Sequence, residues 1–393
     1  MPDKRRAALI YGVPLGPGGL AVQSANALAA LAAAGVELHA LGPGGAARSR
    51  PDVPSIRWHD HATAAPRWRR VPWLRSFQGG ARFRDDVRLG RWAARELERI
   101  QPQLCYAFTQ VALESLRWAR RNRVPSVLES PNGHLDDFRA LYVREHARWC
   151  GGWYRGHPTR TMVERVKEEY QLADRIRVSS EWARDSLVTR GVAAEKITVL
   201  QQPIDLQRFR PGGIRPVSDG PLRVLFVGTL DLRKGFVYLL RAVRRLRGQV
   251  TLELVGGTAD RCSRRLLARE AAGLDVRVAP GDPLPAYGRA ELSVLPTLED
   301  GSPFAVAEAM ACALPVVVTD CCGAREWIEP GRSGWIVPAG RDDALADALA
   351  DALRRRKDLH AMGRAARDAA ERRADPLVCS ALVAQWVYQV IPA

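Results

Sequence analysis

The stretch RAALIYGVPLGPGGLAVQSANALAALAAAGVELHALG, residues 6–42, decides the fold. RAALIYG is an apolar run of strand length, and the proline- and glycine-broken VPLGPGG cannot prolong it. The alanine-rich run that follows reads as a helix stopped at Gly35. A second apolar run, VELHALG, comes at once. Strand, glycine loop, helix and strand make a βαβ unit, so the sheet is expected to be parallel with right-handed crossovers.

The same order restarts after QQPIDLQRFRPGGIRPVSDGP, residues 201–221, a Pro/Gly-rich stretch that reads as a domain boundary. Beyond it the pattern predicts strand LRVLFVG (222–228), helix GFVYLLRAVRRLR, strand VTLELVGG and a charged helix near 259–272. Strands VRVAPG and LSVLP, helix PFAVAEAMAC, strands PVVVTD and GWIVPAG, and two helices within 342–373 complete it. LVCSALVAQWVYQVI (377–391) is a short apolar end. The expected class is α/β: two Rossmann-like, doubly wound parallel-sheet domains facing a central cleft. The expected boundaries are 1–203, 204–372 and a terminal helix, 373–393, returning to the first domain. A length of 393 residues suits two domains, and in open α/β sheets ligands bind outside the carboxyl ends of the strands.

Composition narrows the partners. Hydrophobic residues are 47% and charged residues 26%, which excludes a disordered or fibrous chain. The net charge of +16 is carried by 54 arginines and only five lysines; it favours an anionic partner, whether phosphorylated substrate, membrane or nucleic acid. Seven cysteines, with no CxxC pair or repeated spacing, make a disulfide framework or zinc site unexpected and point to a reducing cytoplasm. The opening MPDKRRAALIYGVPLG is too short in its apolar run for a signal peptide, and no later stretch is long enough to span a membrane.

Four segments could carry chemistry. Gly16, Gly18 and Gly19 lie between the first strand and helix, where bare backbone and free helix amides suit an anion; a simple tight turn is the alternative. In VGTLDLRKGF, Arg233 and Lys234 follow a strand and precede a helix, so guanidinium, ammonium and helix dipole could together hold a diphosphate; the alternative is an exposed basic loop. In PTLEDGSPFAVAEAMACALPVVVTD, Glu299 and Asp300 follow a strand, Pro303 opens a helix, and Glu308 sits on an otherwise apolar helix. A buried carboxylate there needs a partner: a ligand's hydroxyl pair, a neighbouring backbone group or Arg325. LESPNGHLDDFR offers Glu129, Asn132, His134, Asp136 and Asp137 after a strand.

The third segment resembles the signature of glycosyltransferase family 4, retaining enzymes of the GT-B fold, with its E-x7-E pattern inside text like EGFGLxxxEAMACGLPVV. Asp300 stands where the family has its first Glu, and Glu308 matches the second. VGTLDLRKG is similar to the family's VGRLxxxKG with Thr229 in place of the arginine, and ITVLQQPIDLQRFRP is similar to IxVIPNGVDxxRFxP with QQP in place of PNG. The likeness is strong from about residue 160 onward and is one of layout before that.

The resemblance implies transfer of a sugar from a nucleoside-diphosphate sugar to a hydroxyl acceptor, with no cofactor and no essential metal. It implies that Lys234, with Arg233 nearby, holds the diphosphate, that Glu308 binds the ribose hydroxyls and that Asp300 contacts the donor sugar. Gly18, Gly19, Thr229, Gly301, Ser302, Pro303, Phe304 and Ala305 would complete the donor-binding set, with His134, Asp300 and Lys234 at the reacting centre. Two other readings stay open: a nucleotide-sugar epimerase on the same fold, and a non-enzymatic anion or nucleic-acid module, although no nucleic-acid partner is expected.

Residues 67–99 carry ten arginines against four acids, interleaved with Trp68, Trp73, Phe77, Phe83 and Trp92. Such a face suits peripheral contact with an anionic membrane at the cytoplasmic side, or an anionic acceptor. A solvated helical face with core tryptophans is the alternative.

Overall fold

The computed structural model describes residues 5–16, 18–44, 53–62, 78–152, 154–212 and 219–391. The chain divides into two compact units: residues 1–140, 154–202 and 377–393 form one, residues 141–153 and 203–376 the other. Both are parallel α/β layers, the class that the sequence predicts.

The first unit runs β1 (Arg6–Ile10), α1 (Gly19–Ala33), β2 (Glu37–Pro43), β3 (Ile56–His61), α2 (Gln78–Ile100), β4 (Leu104–Phe108), α3 (Leu113–Asn122) and β5 (Ser126–Glu129). The helix α4 (Leu135–Trp149) leads out of it, and α5 (Arg160–Leu172), β6 (Arg175–Val178), α6 (Glu181–Thr189) and β7 (Ile197–Val199) complete it. Its seven strands lie in the order β3-β2-β1-β4-β5-β6-β7, all parallel. The central strands β1, β4 and β5 are almost wholly buried, as expected of a parallel sheet covered on both faces.

The second unit contains β8 (Leu222–Val227), α7 (Phe236–Arg245), β9 (Val250–Val255), α8 (Arg261–Ala271), β10 (Val276–Ala279), α9 (Leu284–Arg289) and β11 (Leu292–Leu295). It continues with α10 (Phe304–Ala311), β12 (Val316–Thr319), β13 (Gly334–Val337), α11 (Asp342–Arg354) and α12 (Leu359–Ala374). Its sheet order is β10-β9-β8-β11-β12-β13. In both sheets the order reverses beside the first strand, between β1 and β4 and between β8 and β11, and that switch point is where an open α/β sheet leaves a crevice for ligand. The helix α13 (Pro376–Val390) packs Val383, Trp386 and Val387 into the core shared with β1 and β2, and the Tyr388 hydroxyl donates to the Ala34 carbonyl.

One expectation is overturned. Cys150, just past α4, and Cys262, in α8, form a disulfide with Cα atoms 5.9 Å apart. The two cysteines are 112 residues apart in sequence, so only the packing of both segments in the second unit brings them together; local spacing carries no sign of it.

Candidate active site

The β8–α7 loop and the β11–α10 loop meet at the switch point of the second sheet. The Leu298 amide donates to the Arg233 carbonyl at 2.7 Å, and Thr297 Oγ1 lies 2.9 Å from the Glu299 carbonyl. The turn before α7 closes on Gly235, whose φ of 69° is left-handed; a Cβ there would lie 2.0 Å from the Pro296 carbonyl oxygen. Glycine is therefore required immediately after Lys234. Asp231 accepts the Lys234 amide at 2.8 Å and the Tyr142 hydroxyl at 3.1 Å, which fixes the turn from the other side.

Asp300 is 6% exposed and sits between the two cations. Its Oδ2 takes a hydrogen bond from Lys234 Nζ and lies 3.4 Å from Arg233 Nη1. Arg233 Nη1 also donates to the Glu299 carbonyl at 2.8 Å and lies 3.3 Å from Glu299 Oε2. Burial works to raise the Asp300 pKa, but Lys234 and Arg233 outweigh it and hold the carboxyl below its usual range. For Arg233, burial works to lower the pKa, and Asp300, Asp231 and Glu299 together raise it. The pair expected to form an exposed basic loop or a bare diphosphate clamp is thus a compact, largely buried cluster in which each cation already faces carboxylate.

Glu308 lies on α10, just over one turn from its start, and is half-buried. Its partner is neither Arg325, whose guanidinium turns to the Asp320 carbonyl, nor a backbone group, but the Tyr287 hydroxyl at 2.8 Å. Burial pushes the Glu308 pKa up, and the Tyr287 hydrogen bond and the Arg208 charge oppose that rise. Tyr287 is on α9, a helix that the sequence reading does not contain. Pro303 caps α10 in an extended conformation, and Gly301 and Ser302 precede it, so Phe304 and Ala305 occupy the first turn, where amides lack intrahelical acceptors. Thr229 is exposed at the end of β8 and adds no charge in place of the family arginine.

In the first unit, Gly18 caps α1 with a φ of 122°, a conformation that favours glycine, and Gly19 begins the helix. His134 caps α4: its carbonyl accepts the Asp137 amide at 3.0 Å, and its Nδ1 accepts the Asp136 amide at 3.2 Å. With Nδ1 accepting, the proton sits on Nε2, and burial lowers the ring's pKa despite Asp136 and Asp137. Asp137 pairs with Arg190 through Nε at 3.1 Å. Glu129 is fully buried at the end of β5, where it receives Gln23 at 2.6 Å, Gln202 at 3.2 Å, Arg177 at 3.1 Å and the Tyr106 hydroxyl. The QQP that departs from the family pattern thus supplies a partner to a buried carboxylate.

Of the basic stretch, Trp68, Trp73 and Phe77, with the arginines up to Arg75, lie outside the described residues. Phe83 and Trp92 are half-buried against the core, whereas Arg88, Arg91 and Arg95 on α2 are exposed and form a shallow concavity with His61. No helix among the described residues is long and apolar enough to cross a membrane, and no group of three or more metal-ligating side chains occurs among them.

Comparisons with known proteins bear on the family and the fold. The model of the family described as Glycosyltransferase Family 4 matches residues 17–208, and that described as Glycosyl transferases group 1 matches residues 221–355. The amylovoran biosynthesis glycosyltransferase AmsK of Erwinia amylovora is 32% identical over 186 residues, 44% of this chain and 45% of that protein. The chain spans about half the length of the curated relatives it matches first. Among solved structures, sucrose-phosphate synthase from Thermosynechococcus elongatus superposes with a TM-score of 0.76 at 21% identity, over 98% of this chain and 99% of that one. Anabaena HepE in complex with UDP-glucose gives 0.72 at 17% identity, over 97% and 99%. Both likenesses establish the GT-B fold. With one family model matched across the first unit and the other across the second, the chain belongs to glycosyltransferase family 4.

Proposed function

We propose that this chain transfers a sugar from a nucleoside-diphosphate sugar to a hydroxyl acceptor, with retention at the anomeric carbon. The observation that carries the reading is the Lys234–Asp300–Arg233 cluster at the switch point of the second sheet, with Glu308 on the adjoining helix. The UDP-glucose bound by HepE, a protein of the same fold, supports it.

In this reading Lys234 and Arg233 turn part of their charge from Asp300 and Glu299 to the diphosphate, and the first turn of α10 offers amides to the same group. Breaking the bond from the anomeric carbon to phosphate leaves the electron pair on the diphosphate, where those cations stabilise it. The acceptor oxygen bonds to the carbon on the same face, and its proton passes to the departing phosphate oxygen. Asp300 accepts a hydroxyl of the donor sugar, while Glu308, oriented by Tyr287, accepts from the ribose. Fixed side-chain cations take the place that a divalent metal would fill, so no resident metal is required. The exposed Arg88, Arg91 and Arg95 would carry a peripheral contact with anionic membrane; their reversal to Glu should abolish sedimentation with phosphatidylglycerol vesicles, and unchanged sedimentation would refute that contact.

Calorimetric titration with UDP, GDP, ADP and dTDP tests the donor site. One nucleoside diphosphate should bind, and Lys234→Ala and Glu308→Ala should each weaken it at least about tenfold, the worth of a hydrogen bond to a charged group. Binding unchanged in both variants would refute the assignment.

A further inference from the structure

Residues 141–153 belong to the second unit, although the sequence on either side of them, 1–140 and 154–202, belongs to the first. This excursion is the second half of α4 and the turn after it. Its contacts run from the Lys234 turn at one end to the Cys150–Cys262 bridge at the other.

At the first end Leu141 is buried in the core of the second unit, and the Tyr142 hydroxyl donates to Asp231 Oδ2 at 3.1 Å. Asp231 Oδ1 in turn accepts the Lys234 amide at 2.8 Å. One carboxylate thus ties the excursion to the backbone of Lys234, and α7 begins two residues further on. The middle of the excursion lies on α7. Buried Glu145 accepts the Tyr238 hydroxyl at 2.6 Å and Trp149 Nε1 at 3.1 Å, while Arg148 Nη1 donates to the Tyr238 oxygen at 3.2 Å. Trp149 stands edge-on to Tyr238 with ring centroids 5.7 Å apart, and Arg241 lies 4.3 Å over the Trp149 ring.

The far end is the disulfide to α8. Of residues 141–152 only Leu141 and Glu145 are buried. A segment with so little buried apolar surface opens at small cost, and its one covalent tie carries much of its docking. That tie is open to chemistry: Cys150 and Cys262 are both half-buried, whereas Cys105, Cys312, Cys322 and Cys379 are buried. Cys262 is the second residue of α8, so a thiolate leaving there faces the positive end of the helix dipole.

We propose that residues 141–150 are a redox-sensitive strap, in which Tyr142 is a positioning residue that sets the Lys234 turn through Asp231 and the Cys150–Cys262 bridge keeps the strap docked. A dithiol reductant opens it. One thiolate of the dithiol bonds to Cys150 Sγ and the electron pair of the S–S bond leaves on Cys262 Sγ; the second thiolate then displaces Cys150 Sγ. The bridge takes up two electrons and two protons, and the dithiol becomes a disulfide. Undocking frees Asp231 from Tyr142, and the turn that presents the Lys234 ammonium loses its brace. The inference rests on the donor reading, in which that ammonium holds diphosphate.

The test is calorimetric titration of the full chain with inorganic pyrophosphate, well below the melting temperature, in oxidised and dithiothreitol-reduced protein. Wild type, Tyr142→Phe, Cys150→Ser/Cys262→Ser and Lys234→Ala are compared, with free thiols and melting temperature measured for each. Reduction should weaken pyrophosphate binding about three- to tenfold, the worth of one hydrogen bond, and the serine double variant should match reduced wild type whether or not reductant is present. Tyr142→Phe should cost about as much in oxidised protein and less than about twofold more once the bridge is open, because the two changes act on one contact. A bridge that merely staples the fold would lower the melting temperature on reduction without changing affinity, and that result would overturn the proposal. So would equal losses from Tyr142→Phe in both redox forms, or seven free thiols in the oxidised protein. Pyrophosphate binding that is absent, or undiminished in Lys234→Ala, would reject the donor reading and the strap's role with it, whereas binding that needs Lys234 but ignores both Tyr142 and the bridge would reject the strap alone.

Discussion

Asp300→Asn isolates the central ion cluster. In the structure the carboxylate is 6% exposed, and the Arg233 and Lys234 side chains that face it are only 14% and 15% exposed. Deleting its charge leaves Lys234 without an anionic side chain at bonding distance among the described residues, while Arg233 keeps Glu299 at 3.3 Å. Removing one member of a buried pair costs about 3–5 kcal/mol. For a unit of this size each kcal/mol moves the melting temperature about 2–4 °C, so the second unit's transition should fall by roughly 6–20 °C at neutral pH. The sign of the pH dependence follows from the depressed Asp300 pKa: the stabilisation is present above the ordinary carboxylate range and is lost as pH falls through the folded-state value. The gap between wild type and variant should therefore close in acid. Inorganic pyrophosphate should narrow it at neutral pH by replacing the lost charge, about 2.7 kcal/mol at a hundred times its dissociation constant. Scanning calorimetry reads all three effects. A shift under about 2 °C at pH 7, or a gap that does not close in acid, would refute the reasoning.

Three further outcomes are expected. Gly235→Ala places a Cβ 2.0 Å from the Pro296 carbonyl oxygen at a φ of 69°, so it should destabilise the second unit by at least about 2 kcal/mol by calorimetry; a neutral substitution would contradict the turn's need for glycine. Asp86 has its pKa raised to about 6, so the folded state holds its proton more tightly and wild-type stability should fall between about pH 4 and 6, by about 3 kcal/mol in all. Asp86→Asn should lack that fall and be the more stable form at pH 8; parallel pH profiles would count against the raised pKa of the buried carboxylate. Thiol titration in denaturant should find five cysteines, 105, 312, 321, 322 and 379, because Cys150 and Cys262 are bonded; seven would mean that the bridge is open in the purified protein.

Much of the fold was legible because parallel sheets covered on both faces write themselves as apolar runs punctuated by glycine. The 6–42 segment and the restart at residue 222 show this, and β1, α1, β2 and β8 lie where those runs stand. Lys234, Asp300 and Glu308 were legible through the resemblance of their segments to the family signature. What each one touches was not. The Tyr287 that holds Glu308 is 21 residues away on a six-residue helix too short to show a period. Cys150 and Cys262 meet only through tertiary packing, and Gln202 reaches Glu129 across 73 residues. Asp86 did leave a trace, an acid in the apolar register of α2, masked in the sequence by its neighbour Asp85 and by the surrounding arginines.

The central claim is sugar transfer at the Lys234–Asp300 centre, and the most direct measurement is product formation. The chain would be incubated with UDP-glucose or GDP-mannose and a panel of glycosides, and the product followed by mass spectrometry and anomeric proton NMR. Wild type should form a new glycoside of the donor's α configuration, reduced at least about a hundredfold in Lys234→Ala, which loses charge stabilisation of the leaving diphosphate. A β-configured product, or transfer undiminished in Lys234→Ala, would contradict it.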